Sequence, residues 1–159
     1  MEPFKLQILH ASDLEGGVST PQDAPLFSAI INGLESELPE QTLVISSGDN
    51  YIPGPFLVAS ADPELDEILG SAGAGRGDIA IMNAIGFDAS AFGNHEFDLG
   101  TAQVADIIGA DGEYAGTAFP YLSANLDFST DANLAGFVVP DAQAPKPNIA
   151  KGKRQEARG

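Results

Sequence analysis

The chain has 159 residues, with 23 Asp and Glu against 7 Lys and Arg, a formal charge of −16, and 43% hydrophobic residues. That apolar share supports one core-forming domain and excludes wholesale disorder. The absence of cysteine excludes disulfide scaffolds, Cys-ligated zinc, iron–sulfur clusters and thiol catalysis. The acidity argues against nucleic acid or an anionic membrane surface as the partner, and no apolar run approaches the ~20 residues of a membrane helix.

Residues 5–10, Lys-Leu-Gln-Ile-Leu-His, read as a core strand. Thr20 is placed to cap a helix with Pro21 in its first turn. Leu26, Phe27, Ile30, Ile31, Leu34 and Leu38 follow at helical spacing, leaving Glu35 and Glu37 on the wet side. The β-branched run at Thr42–Ser46 is a second strand, ended by Gly48. Tyr51, Pro53, Pro55 and Phe56 read equally as a wall beside a site or as a rigid loop. Asp62, Glu64, Asp66 and Glu67 form a solvated face. The glycine-rich stretch 70–77 is a flexible connector, because it lacks the Lys-Ser/Thr ending of a phosphate loop. Asp78 is placed to cap a helix with Ile79, Met82 and Ile85 inward and Gly86 at its end. Residues 88–92 read as a weaker strand, Thr101–Ile108 as a helix stopped by Gly109, and 121–124 as a fourth strand.

This alternation predicts an α/β fold: a mostly parallel sheet flanked by helices, with both faces covered. The structured part is 1–139. From Pro140 the text becomes proline-rich and then basic, with five of the seven Lys and Arg residues among the last fourteen positions. Residues 140–159 therefore read as a solvated tail with no role in the core.

Sites in parallel sheets form beyond the carboxyl ends of the strands. The polar residues concentrate there. Strand one leads into His10-Ala11-Ser12-Asp13-Leu14-Glu15-Gly16-Gly17, strand two into Ser47-Gly48-Asp49-Asn50, strand three into Gly93-Asn94-His95-Glu96-Phe97-Asp98, and strand four into Asn125. Several carboxylates in one cleft repel unless cations neutralise them, and a pair of divalent ions does so economically. The Asp13-x-Glu15 spacing puts two carboxylates on one side of an extended segment. Asp49 is the candidate to bridge two ions. Gly48 and Gly93 allow sharp turns and close approach. His10 reads as a strand residue with a satisfied ring.

These three segments resemble the first three motifs of the calcineurin-like metallophosphatases, most closely the branch of 5′-nucleotidases and UDP-sugar hydrolases. Gly-Asn-His-Glu-Phe-Asp is the most specific string, and the resemblance runs over roughly residues 4 to 128. It implies the front part of a metallophosphatase domain and a phosphoesterase acting on a phosphate ester or nucleotide. Attack would come from a hydroxide activated by two divalent ions, drawn from Mn, Mg, Ca or Zn. It further implies that Asp13 and Glu15 bind the first metal, that Asp49 bridges, and that Asn94 binds the second. His95 would face the phosphate with Asp98 fixing its ring. Asn125 lies near the site without an assigned ligand role.

Two departures carry consequences. The family pattern Asp-x-His reads Asp13-Leu14-Glu15 here, exchanging a borderline nitrogen for a hard oxygen and favouring Mn, Mg or Ca over Zn. With only His10 and His95 in the chain, the His-rich motifs that complete such sites are absent. The expectation is a fragment that binds metal weakly, turns over poorly alone, exposes a sheet edge, and needs the remaining half of the domain as its partner. The alternatives are a non-catalytic metal-binding or interaction module derived from that fold, and a purely structural acidic α/β protein. Relatives imply a periplasmic or secreted location, while residues 1–5 show no leader pattern.

Overall fold

The computed structural model describes residues 3–139, so the expected tail at 140–159 lies outside the described residues. Strand β1 is Gln7–Ala11, helix α1 Thr20–Glu35 and strand β2 Thr42–Ser46. Short helices α2, Pro55–Ala59, and α3, Asp66–Leu69, precede α4, Arg76–Ile85. Then follow β3, Ala89–Ala91, α5, Thr101–Ile108, and β4, Tyr121–Leu122. Three 3₁₀ turns cover Pro63–Leu65, His95–Phe97 and Ala135–Phe137.

The sheet is fully parallel in the order β1-β2-β3-β4. Right-handed crossovers between strands laid down in sequential order place every connecting helix on the same face. The core agrees. Ile31 of α1, Leu57 of α2, Ile79 and Met82 of α4 and Ile107 of α5 join Val44 of β2 in one cluster, with Leu9 of β1 packed against it. Leu9 pairs with Val44, so both point to the helical side.

The other face is open among the described residues. Ile8 pairs with Leu43, one step out of phase with Leu9 and Val44, and the two are 56% and 41% exposed. Leu122 of β4 is also exposed. The expectation of a sheet covered on both faces is therefore corrected: sequential strand order uses all the helices on one side.

The helices carry three local corrections. Ser19, not Thr20, is the N-cap of α1, and it makes no side-chain capping bond; Pro21 sits in the first turn as expected. The row Phe27, Ile31, Glu35 faces inward, so Glu35 is buried rather than wet, while Leu26 and Ile30 are exposed. The apolar stripe of α1 is wider than the surface available to cover it. Gly75, not Asp78, caps α4, and Asp78 is buried within the first turn. The inner face of α4 is Ile79, Met82 and Ile85, closed by Gly86 as the spacing predicts.

Candidate metal centre

Three strand ends deliver three loops to one place. The Asp13 N–H donates to the Gly48 carbonyl at 3.1 Å, and the Glu15 N–H reaches the Asp49 carbonyl at 3.5 Å. The second and third loops touch through their backbones. A Cβ on Gly48, where φ is +103°, would strike the Gly93 backbone, and a Cβ on Gly93 would strike the Asp49 carboxylate. Glycine is required on both sides of that contact. Asp13 and Asp49 each adopt φ of +53°. Asp tolerates this left-handed region better than most residues, yet each such residue costs on the order of 1 kcal/mol.

The Asp49 carboxylate accepts the main-chain N–H of His95 through Oδ1 at 2.8 Å. His95 belongs to the 3₁₀ turn that follows β3, and Phe97 of that turn packs its ring 5.3 Å from Phe92 and 6.0 Å from Phe128. Phe92 in turn stacks on Tyr121 of β4 at 4.5 Å. This aromatic pile fixes the turn to the sheet. The His95 Nδ1 lies 2.7 Å from Asp98 Oδ2, and its Nε2 lies 3.9 Å from Glu15 Oε1. The hydrogen bond to Asp98 is the main cause that raises the His95 pKa above its ordinary value, with the charges of Asp98, Asp49 and Glu15 adding to it. A carboxylate on Nδ1 selects the tautomer with its proton there and turns Nε2 toward the other acids.

Glu15, Asp49 and His95 form a group whose ligand atoms all lie within 4.8 Å of one another. Two carboxylate oxygens and one imidazole nitrogen are a donor set that a divalent first-row ion accepts. Asp13 is exposed and stands outside that group, with the Ser12 hydroxyl donating to its Oδ2 at 2.5 Å. Asn94 is exposed at the head of the 3₁₀ turn. Asp98 closes the same turn and pairs with His95, while Gly100 takes the N-cap of α5. His10 is exposed in β1, and Asn125 is exposed beyond β4.

Two buried residues of these motifs, Glu96 and Asn50, serve the scaffold of the site, as the reading of Glu96 as a structural rather than a ligand residue expects. Glu96 and Asn50 are each 1% exposed and lie at the centre of a polar network. Asn50 Oδ1 accepts from the Ser46 hydroxyl at 2.6 Å, and its Nδ2 reaches Ser90, Glu96 and Tyr121 at 2.8–3.2 Å. The signal for Glu96 was its place inside the Gly93-Asn94-His95-Glu96 string; its inward direction is set by the turn. Asp78 accepts the N–H of Gly16 while its Oδ2 has no partner, and burial pushes its carboxyl up to about 7. It lines a cavity of about 310 Å³ behind the first loop, together with Glu15, Asp23, Phe27 and Met82.

No family model matches the chain. It is 40% identical over 68 residues to a snake venom 5′-nucleotidase of Gloydius brevicauda, covering 42% of this chain and 11% of the relative. It is 28% identical over 144 residues to the trifunctional nucleotide phosphoesterase protein YfkN of Bacillus subtilis, covering 85% of this chain and 9% of that protein. These matches stand beside three motifs in order at three strand ends. They support homology to the calcineurin-like metallophosphatase and 5′-nucleotidase family. The solved structure of a 5′-nucleotidase precursor from Thermus thermophilus shares the chain's fold, with a TM-score of 0.55 at 23% identity over 86% of this chain and 25% of that one. The chain spans about a tenth of the length of the curated relatives it matches.

Proposed function

We propose that the chain is part of a metal-dependent phosphoesterase of the 5′-nucleotidase type, hydrolysing phosphomonoesters at a two-ion centre. The placing of the Glu15 and Asp49 carboxylates beside the His95 imidazole, with Asp98 behind its ring, is the observation that carries this reading; the two acids serve the ions and the imidazole serves the phosphate. Divalent ions held there supply charge neutralisation for the phosphoryl oxygens and activation of the attacking water. Asp13 and Glu15 would hold the first ion, Asp49 would be shared, and Asn94 would serve the second. Asn94 and Asp49 alone leave that second position open to further ligands.

The protein's own residues then have separable tasks. Asp98 keeps the His95 Nδ1 protonated and its ring oriented. His95 Nε2 faces the acids, where as an imidazolium it donates to a phosphoryl oxygen or returns a proton to the departing alkoxide. The His95 N–H on Asp49 Oδ1 couples the position of the imidazole to that of the shared carboxylate. Glu15, an oxygen donor, favours Mn, Mg or Ca over Zn at the first position.

The test is a calorimetric titration of the chain with Mn²⁺, followed by turnover of a generic phosphomonoester with Mn²⁺ present, each repeated in Asp49→Ala and His95→Ala. Binding lost in Asp49→Ala, and weak turnover lost in His95→Ala, support the reading. Mn²⁺ binding with no turnover favours the non-catalytic metal-binding module. Tight stoichiometric zinc held through Glu15 overturns the metal preference.

A further inference from the structure

Glu96 is the buried acid that the proposed chemistry does not use. It sits in the 3₁₀ turn His95–Phe97, one residue past the imidazole, yet its side chain points the opposite way, into the protein. Oε2 accepts the Gly93 N–H at 2.7 Å and the Asp49 N–H at 3.0 Å. Oε1 accepts the Asn50 N–H at 2.8 Å and the Asn50 Nδ2 at 3.1 Å. All four are donors to the carboxylate, and three are main-chain groups of loops that follow different strands.

That arrangement answers a structural problem. The second and third loops approach until Gly48 meets Gly93, and the main-chain N–H groups beside that contact are buried or part-buried. Buried N–H groups without acceptors cost about 1–3 kcal/mol each. Beyond the strand ends the N–H groups of Asp49, Asn50 and Gly93 turn to a side chain as acceptor. One carboxylate with two oxygens satisfies both loops at once, and charge-assisted bonds of this kind are stronger than neutral ones. Because the acceptors belong to a single rigid carboxylate, they also fix the separation of the loops. Asp49 is held in its left-handed conformation by its own N–H on Glu96 and by its Oδ1 under the His95 N–H.

We propose that Glu96 is a positioning residue: its buried carboxylate clamps the Asp49 loop to the Gly93–His95 loop and so sets the geometry in which Asp49, Asn94 and His95 meet metal and phosphate. The consequence for metal rests on the reading of the site as a divalent-ion centre; the clamp itself does not. A glutamine cannot replace it. Its single oxygen serves one pair of donors, and its NH₂ group confronts the other pair.

The experiment compares Glu96→Gln with Ser90→Ala in the intact chain. Ser90 belongs to the same buried network, accepting from the Asn50 side-chain Nδ2 at 2.8 Å, but touches none of the three clamped main-chain N–H groups. Amide proton shifts and exchange rates of Asp49, Asn50 and Gly93 are read by NMR without metal, and Mn²⁺ affinity by titration. The expected result is displaced, faster-exchanging amides at those three positions in Glu96→Gln, with Mn²⁺ affinity reduced about 10–100-fold. Ser90→Ala should lose comparable thermal stability while keeping both readouts at wild-type values. Wild-type amide shifts in Glu96→Gln overturn the proposal, and so does an equal loss of affinity in Ser90→Ala. A wild-type chain that binds no Mn²⁺, but whose three amides respond to Glu96→Gln, supports the clamp and sinks the metal reading instead.

Discussion

The main-chain N–H of His95 donates to Oδ1 of Asp49 at 2.8 Å, across a gap of 46 residues in sequence. The bond joins the two most specific motifs by backbone on one side and side chain on the other. A substitution at His95 therefore leaves the Asp49 contact in place, whereas a substitution at Asp49 disturbs both. This asymmetry separates the roles of the two residues experimentally.

Asp49→Asn is expected to weaken Mn²⁺ binding at least as strongly as loss of an outer-shell partner, about 10–100-fold or more. Asparagine tolerates the left-handed backbone and its carbonyl oxygen can still accept the His95 N–H. Stability should therefore change by less than about 1 kcal/mol. Calorimetric titration and urea unfolding measure the two quantities; a large loss of stability would show that the charge, rather than the hydrogen bond, holds the loop.

The His95 pair should titrate. Asp98 raises the folded-state pKa of His95 above 6.5, so the folded protein holds that proton to higher pH than the unfolded chain. The pairing contributes stability that is fully present below 6.5 and is lost as pH rises through the folded value. Asp98→Asn removes the first and largest cause and should bring the His95 titration midpoint down. Imidazole proton shifts in the metal-free chain, assigned by their loss in His95→Ala, give the midpoint directly.

Asp78 shows how burial alone makes a carboxyl pH-sensitive. Its folded pKa is pushed to about 7 from an ordinary 3.8. Between those values the folded state keeps a proton that the unfolded chain has released, so stability falls as pH rises from about 4 to 7. The shift corresponds to roughly 4 kcal/mol at full extent. Asp78→Asn should flatten this part of the profile and be more stable than wild type at about pH 8, by urea unfolding at several pH values. An unchanged difference between the two proteins from about pH 5 to pH 8 would refute the buried neutral carboxyl.

Gly48→Ala should destabilise the chain by about 2–4 kcal/mol, since it combines a positive φ with a collision against the Gly93 backbone. The new methyl also forces apart the loops that carry Asp49 and His95, so Mn²⁺ affinity should fall with stability. Denaturant midpoints and metal titration of the same preparation test both.

The open sheet face carries Ile8, Leu43 and Leu122 as exposed apolar residues. The chain should self-associate with rising concentration. Ile8→Lys with Leu122→Lys should reduce association without lowering the melting temperature, because neither side chain is in the helical core. Light scattering and thermal unfolding decide this. A monomer at all concentrations would show that the face is not adhesive.

Residue order was enough to reveal the alternation of strands and helices, the span of β2 at Thr42–Ser46 and of α5 at Thr101–Ile108, and the delivery of Asp13, Glu15, Asp49, Asn94 and His95 to one end of the sheet. Those are local properties: β-branched runs, helical spacing, and polar residues that begin where apolar ones stop. It misjudged Glu35 and Asp78 because an acid's environment depends on which row of a helix meets the sheet, and spacing alone does not set that rotation. It could not show that one sheet face is bare, since strand order is a relation between segments far apart in the chain. The partners of Glu96 emerge only in the folded chain. Three backbone N–H groups from two loops converge on one carboxylate once the strands have paired, and no periodicity in the sequence records a contact made by main-chain atoms.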